Sequence, residues 1–316
     1  MAATVFSPQK LAGGPRAALP ILMYHRVLDG FDPLQAEIHQ AKVMDTQFRT
    51  LRQFFQVLPL DEAADMLMQG RLPPRAVSIT FDDGYRDNHD LALPLLRQHG
   101  LNATFYVASG YLNGGLIFHD VLVETIRHAA TGTLDLGIDG VERLQISDMA
   151  SRIAAIRHLT KAMKYLEPGR RQQLSTRLLE TLGPHAPRSL MMSDEQVRAL
   201  SRSGMGIGGH TTHHVILSKL TAEAARDEID SNRNTLSSII DKPLTSFAYP
   251  NGKPGIDYDT SHVALVRESG YRNAVSTLSA VGTRQASAHE LPRFVLNETT
   301  TIGVILRMLR MTAYAI

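Results

Sequence analysis

Two rhythms of apolar residues alternate along this chain. Short, nearly unbroken runs such as "LPILMYHRV" (19–27), "FQVLPL" (55–60), "AVSITF" (76–81) and "ATFYVA" (103–108) read as buried strands. Between them lie helical stretches, "DEAADMLMQG" (61–70) closed by Gly70 and "HDLALPLLRQHG" (89–100) stopped by Gly100. The same alternation returns late in the chain. "SDEQVRALSRSG" opens with a capping-box signature, Ser193 with Gln196 three residues on. A short strand at "MGIGGH", a helix at about 222–240 and a strand at "LTSFAYP" (244–250) follow, then a helix at about 259–269 ended by Gly270 and a strand at "RNAVST" (272–277). Strands alternating with helices predict a parallel sheet covered by helices. In such sheets polar residues at the C-terminal ends of strands carry function, and Asp82 and Asp83 sit at such an end.

The middle of the chain has only the helical rhythm. Met149, Ile153, Ile156, Leu159, Met163 and Leu166 form one stripe, and Leu174, Leu178 and Leu182 form another behind Pro168, a residue suited to a helix start. Residues 115–190 therefore read as a mostly helical insertion whose stripes pack a core. Residues 1–16, rich in Gly, Pro and Ala, read as a flexible lead-in, which leaves 17–316 as one interrupted domain.

Composition narrows the chemistry. The chain has 316 residues, 43% hydrophobic and 20% charged, which suits a globular protein with a sizeable core. A formal net charge of +2 gives no ground for nucleic-acid binding. Cysteine is absent, so disulfides and thiolate metal sites are excluded, and any metal must be held by His and carboxylate. The first residues lack the apolar core of a signal peptide, and no stretch approaches the roughly eighteen apolar residues of a membrane span. The expectation is a soluble, cytoplasmic protein of unassigned oligomeric state.

Two clusters carry the candidate chemistry. Adjacent carboxylates at Asp82 and Asp83 repel unless one meets a cation and the other a donor, and at a strand end their side chains point different ways. "GGHTTHHVILSKL" (208–220) crowds His210, His213 and His214 into five positions. His210 with His214 is an i,i+4 pair and His210 with His213 an i,i+3 pair, and spacing cannot choose between them. One Asp with two His makes three protein ligands and leaves a fourth position open, the composition of a catalytic zinc site. A second, unligated carboxylate is the natural base, so the residues point to metal-assisted hydrolysis of an amide or ester.

These motifs resemble the polysaccharide deacetylases of carbohydrate esterase family 4. The likeness rests on "TFDDGYRDNHDLALPLLRQHGLNATFYV" (80–107) and "GGHTTHHVILSKL", with "ILMYHRV" (21–27) and "SFAYPNG" (246–252) matching a bacterial, exopolysaccharide-type branch. The resemblance implies a distorted (β/α) barrel of about seven parallel strands and removal of acetyl groups from N-acetylated sugars or glycan precursors. It implies Asp82 as general base and Asp83, His210 and His214 as ligands of a divalent metal, zinc first, with Co2+, Ni2+ or Mn2+ as alternatives. It leaves His213 in a free position of the motif, lets Thr211 brace the loop, and places Tyr85 and a backbone N–H near Asn251 against the substrate and its oxyanion.

Two departures from the pattern matter. Many members carry an arginine that orients the base where this chain has Ala248, and Arg293 in "LPRF" is the candidate substitute. A late Leu-x-His motif, which holds the acid histidine in many members, is absent, and His289 does not fit it. The "MYH" branch nominates His25 as the acid instead. The alternatives to a deacetylase are an inactive carbohydrate-binding homologue and a hydrolase of another non-peptide C–N bond. The chain has no Trp, which favours a small or lipid-linked acceptor over a long groove of stacking rings.

Overall fold

The computed structural model describes residues 11–138, 141–187 and 189–313. Residues 1–10 of the expected lead-in lie outside the described residues. The chain opens with β1 (Ile21–Tyr24), a small parallel pair β2 (Val27–Leu28) and β3 (His39–Gln40), then α1 (Ala41–Phe54), β4 (Gln56–Val57), α2 (Leu60–Met68), β5 (Ala76–Phe81), α3 (Leu93–His99) and β6 (Thr104–Val107). Next come α4 (Phe118–His128), the antiparallel hairpin β7 (Gly132–Leu134) with β8 (Leu144–Ile146), α5 (Met149–Lys164) and α6 (Pro168–Leu182). The α/β alternation resumes with α7 (Asp194–Arg202), β9 (Gly206–Gly209), α8 (Ala222–Ile240), β10 (Ser246–Ala248), α9 (Thr260–Glu268), β11 (Asn273–Val275) and α10 (Thr301–Ala313).

Seven strands form one sheet in the order β1-β5-β6-β9-β10-β11, with β4 also on β5, and every pairing is parallel. Helices cover its outside, as expected for a distorted (β/α) barrel. The stretch 291–294 spans the gap between the two edges: Leu291 bridges Val275 of β11, and Phe294 bridges Leu22 of β1. That crossing brings Arg293 to a fully buried position.

Alternation along β5 shows how the barrel is lined. Val77, Ile79 and Phe81 join the large apolar cluster, while Ser78 and Thr80 bond to the Leu58 and Leu22 carbonyls. Asp82 is next on the polar side of that alternation. Tyr106 of β6 reaches Ser246 Oγ of β10 at 2.6 Å, and a Cβ on Gly208 would stand 2.4 Å from the Tyr106 ring. Only glycine fits at that crossing.

The capping box of Ser193 and Gln196 is present. Two helices were not anticipated. In α1, Met44, Phe48 and Leu51 make a short stripe, but Gln47 and Thr50 are buried with it and blur the pattern. The terminal α10 is packed against α1. Helix 89–100 begins as a wide π-type turn over Asn88–Ala92 before α3, just ahead of Pro94, which has no N–H to give. The helices α4, α5 and α6 pack around an apolar cluster of their own that includes Leu122, Leu159 and Leu178. Met149, assigned to the buried stripe, is 43% exposed because it opens the first turn of α5. Among the described residues no helix is long and apolar enough to cross a membrane.

Candidate metal and catalytic centre

β5 delivers both aspartates. Phe81 ends the strand, Asp82 is 2% exposed, and Asp83 turns into the left-handed region at φ +78, followed by Gly84 at φ +92. The turn points the two carboxylates apart. Asp82 is clamped by Arg293, whose Nη1 and Nη2 donate to its two oxygens at 2.6 and 2.7 Å. Arg293 also donates to Thr80 Oγ1 at 3.0 Å and to the Ser276 carbonyl at 3.1 Å. Burial pushes the Asp82 carboxyl up, but the Arg293 charge, helped by His210, more than reverses this, and the group is held below its ordinary value.

Asp83 faces the histidines. Its Oδ1 lies 3.3 Å from His210 Nε2 and 3.2 Å from His214 Nε2, yet it is buried without a hydrogen bond. Among the described residues, Asp83, His210 and His214 each offer one ligand atom, all within 4.8 Å of one another. Three convergent ligand atoms around an orphaned carboxylate oxygen fit a divalent cation. Burial pushes Asp83 up, and the flanking His214 and His210 carry it well below its ordinary value.

The histidine segment is a loop, so helical spacing does not decide which histidines meet. Thr211 at φ +57 and His214 at φ +49 both take the left-handed region and turn the chain so that His210 and His214 converge. Thr211 Oγ1 accepts the Val215 N–H at 3.2 Å and holds that turn. His213 faces elsewhere: it is exposed, its Nδ1 lies 2.7 Å from Glu228 Oε1, and it lines a neighbouring cavity. His210 Nδ1 lies 2.7 Å from the Ala248 carbonyl, an acceptor, which places the proton on Nδ1 and leaves Nε2 free to ligate.

A cavity of about 510 Å³ opens onto this cluster, with His25, Tyr85, Asp120, His214 and Asn251 in its walls. His25 is exposed at the end of β1, at the cavity wall rather than in the core. Asn251 sits at φ +59 with its side-chain nitrogen buried and unpartnered. Asp83, Thr211, His214 and Asn251 all take left-handed backbone, as Arg75, Asn113 and Asp241 do away from the cluster. His289 is tied to the Tyr271 carbonyl at 2.9 Å.

Two contributors were not foreseen. Asn232 of α8, fully buried, accepts the His210 N–H at 3.0 Å and donates to the Thr211 and Val107 carbonyls, so it clamps the histidine loop. Its signal is a polar residue on the apolar stripe of Ala225, Ile229, Leu236 and Ile239. Asp120 in the first turn of α4 is the other, a charge inside the apolar run "LIFHDVLVETI" (116–126). Tyr85 donates to its oxygens at 3.1 and 3.3 Å.

Burial, opposed by Arg26 and Tyr85, pushes Asp120 up to about 7. Its folded pKa stands above its unfolded one, so stability falls as pH rises from about 4 to about 7 and then levels off. Asp120→Asn keeps an acceptor for Tyr85 and removes the charge. In chelator-treated protein it is expected to raise thermal stability at pH 8, on the order of a few kcal/mol at about 1.4 per pKa unit, and to give almost no gain at pH 4. A pH-independent difference between the two melting curves would refute this account.

The fold and site define a class. A sequence model of the polysaccharide deacetylase family matches residues 69–274, well over half the chain, and the chain belongs to that family. The protein YxkH of Bacillus subtilis (strain 168), whose name assigns it to the polysaccharide deacetylases, is 23% identical over 282 residues, 88% of this chain and 71% of its own length. In overall fold the chain is similar to the Streptococcus pyogenes deacetylase PplD in complex with acetate, with TM-score 0.63, 17% identity, and coverage of 92% of this chain and 98% of that one. It is also similar to IcaB from Ammonifex degensii, with TM-score 0.59, 17% identity, and coverage of 94% and 98%.

Proposed function

We propose that this protein removes the acetyl group from an N-acetylated sugar by metal-dependent hydrolysis, releasing acetate and an amino sugar. The observation that carries this reading is the pair of unlike environments at one strand end: Asp82 clamped by Arg293, and Asp83 aimed with two imidazoles at one point.

Asp83, His210 and His214 are the residues that would hold the cation. When bound, such an ion acidifies a water and polarises the acetyl carbonyl. Asp82 takes the proton of the attacking water. Arg293 aims Asp82 and keeps it ionised. As the water oxygen bonds to the carbonyl carbon, the backbone N–H near Asn251 donates to the developing oxyanion, and Tyr85 walls the substrate. The C–N bond then breaks, and protonated His25 at the cavity wall gives its proton to the leaving nitrogen.

Elemental analysis paired with acetate release from N-acetylglucosamine oligomers tests the reading. The expected result is about one zinc-class ion per chain. His214→Ala is expected to lose both metal and acetate release, while His213→Ala keeps the metal. Full occupancy in His214→Ala with loss in His213→Ala would overturn the ligand choice. No metal under metal-replete conditions would favour a sugar-binding role without catalysis.

A further inference from the structure

The cavity over the metal cluster does not end there. It shares Glu37, His119, Thr160 and Lys164 with an adjoining cavity of about 450 Å³, whose walls add Arg157, Lys161 and Lys253. Arg157, Lys161 and Lys164 stand at i, i+4 and i+7 on α5 and so share one helix face. Lys253 comes from the loop after β10, two residues beyond Asn251 of the site. Among the described residues none of these four cations forms an ion pair.

The acidic groups nearby do not balance them. Glu37 is exposed at the wall shared by both cavities, and Asp257, which faces Lys164, accepts the Lys253 backbone N–H at 3.0 Å. Lys164 is held below its ordinary value, first by burial, with Lys253 pushing the same way and Asp257 opposing. Lysines in the last turn of α5 complement the helix C-terminus, which accounts for Lys161 and Lys164. That explanation reaches neither Arg157, two turns from the end, nor Lys253 on a separate segment. Lys164, half-buried with its ammonium 5.3 Å from the Tyr165 ring, and the exposed Arg157, Lys161 and Lys253 line one cavity, a charge pattern that suits a multivalent anion. A phosphoryl group, with a charge of roughly −2 and several acceptor oxygens, meets that need where a single carboxylate does not.

We propose that this basic cavity binds the phosphate or diphosphate of a sugar carrier, so that the substrate is an N-acetylated sugar joined to a phosphoryl group and not a neutral glycan. The inference rests on the deacetylase reading for its catalytic half. Nucleoside diphosphates and prenyl diphosphates share the chemistry, and the test separates them.

Acetate release by the metal-loaded full chain is measured on three probes: neutral tri-N-acetylchitotriose, UDP-N-acetylglucosamine and farnesyl-diphospho-N-acetylglucosamine. One phosphorylated probe is expected to exceed the neutral one at least tenfold in kcat/KM, and the preferred probe identifies the carrier. In the Lys161→Glu/Lys253→Glu variant, both sites being exposed, that ratio is expected to fall at least tenfold through KM. Equal kcat/KM on neutral and phosphorylated probes would sink the inference and leave the deacetylase intact. Calorimetry with inorganic diphosphate gives a readout free of turnover. Binding weakened at least tenfold in the double variant supports the basic cavity even if no probe releases acetate, and unchanged binding overturns it.

Discussion

Asp82→Asn is expected to purify with its metal content unchanged and to lose about 10²- to 10⁴-fold in kcat, the range for removing a positioned general base. Asp82 is no part of the Asp83–His210–His214 cluster, so metal affinity has no reason to follow activity. The substitution has a second consequence. Arg293 is fully buried, and among the described residues its two contacts to Asp82 are its only ion pair. An asparagine leaves one acceptor and turns an amide N–H₂ toward the other guanidinium nitrogen. Some stability loss is therefore expected alongside the kinetic loss, and kcat is compared at a temperature where both proteins are folded. Metal lost in parallel with activity would show that Asp82 is a ligand, and full activity would remove it from the chemistry.

Arg293→Met is expected to destabilise the fold by about 3–5 kcal/mol, read as a fall in denaturation midpoint at constant slope. The cost comes from what stays behind. Asp82 keeps its charge in a position 2% exposed, and Thr80 Oγ1 and the Ser276 carbonyl lose a donor. Activity is expected to fall as well, because Asp82, the proposed base, loses both its aim and its charge partner. The double variant Asp82→Asn/Arg293→Met separates pair from site. With the buried charge gone it is expected to be more stable than Arg293→Met alone, a positive coupling between neighbours. A double variant whose loss is the sum of the two single losses would mean that the pair contributes nothing as a pair.

The sequence by itself determined the elements that follow local rules. The run 76–81 is a strand because its residues are apolar and β-branched, and Asp82 and Asp83 fall at its end for the same reason. Ser193 caps α7 through contacts three residues away, and Gly100 ends α3 at φ +61. The family motifs were legible too, since they are contiguous. Each of these depends on neighbours within about one helical turn or one strand pleat.

What the tertiary structure decided lies beyond that range. His210 and His214 converge through two left-handed residues in a loop, and backbone dihedrals of that kind leave no periodicity to read. Asp82 meets Arg293 across 211 positions because the stretch 291–294 spans the two edges of the sheet, a pairing that no window of sequence contains. Arg157, Lys161 and Lys164 look like the solvated face of an ordinary helix until Lys253, from a separate loop, closes on the same cavity. Propensity and pattern act between residues a few positions apart. The placing of charges inside a barrel depends on chain closure, and that is set only when the whole sheet has formed.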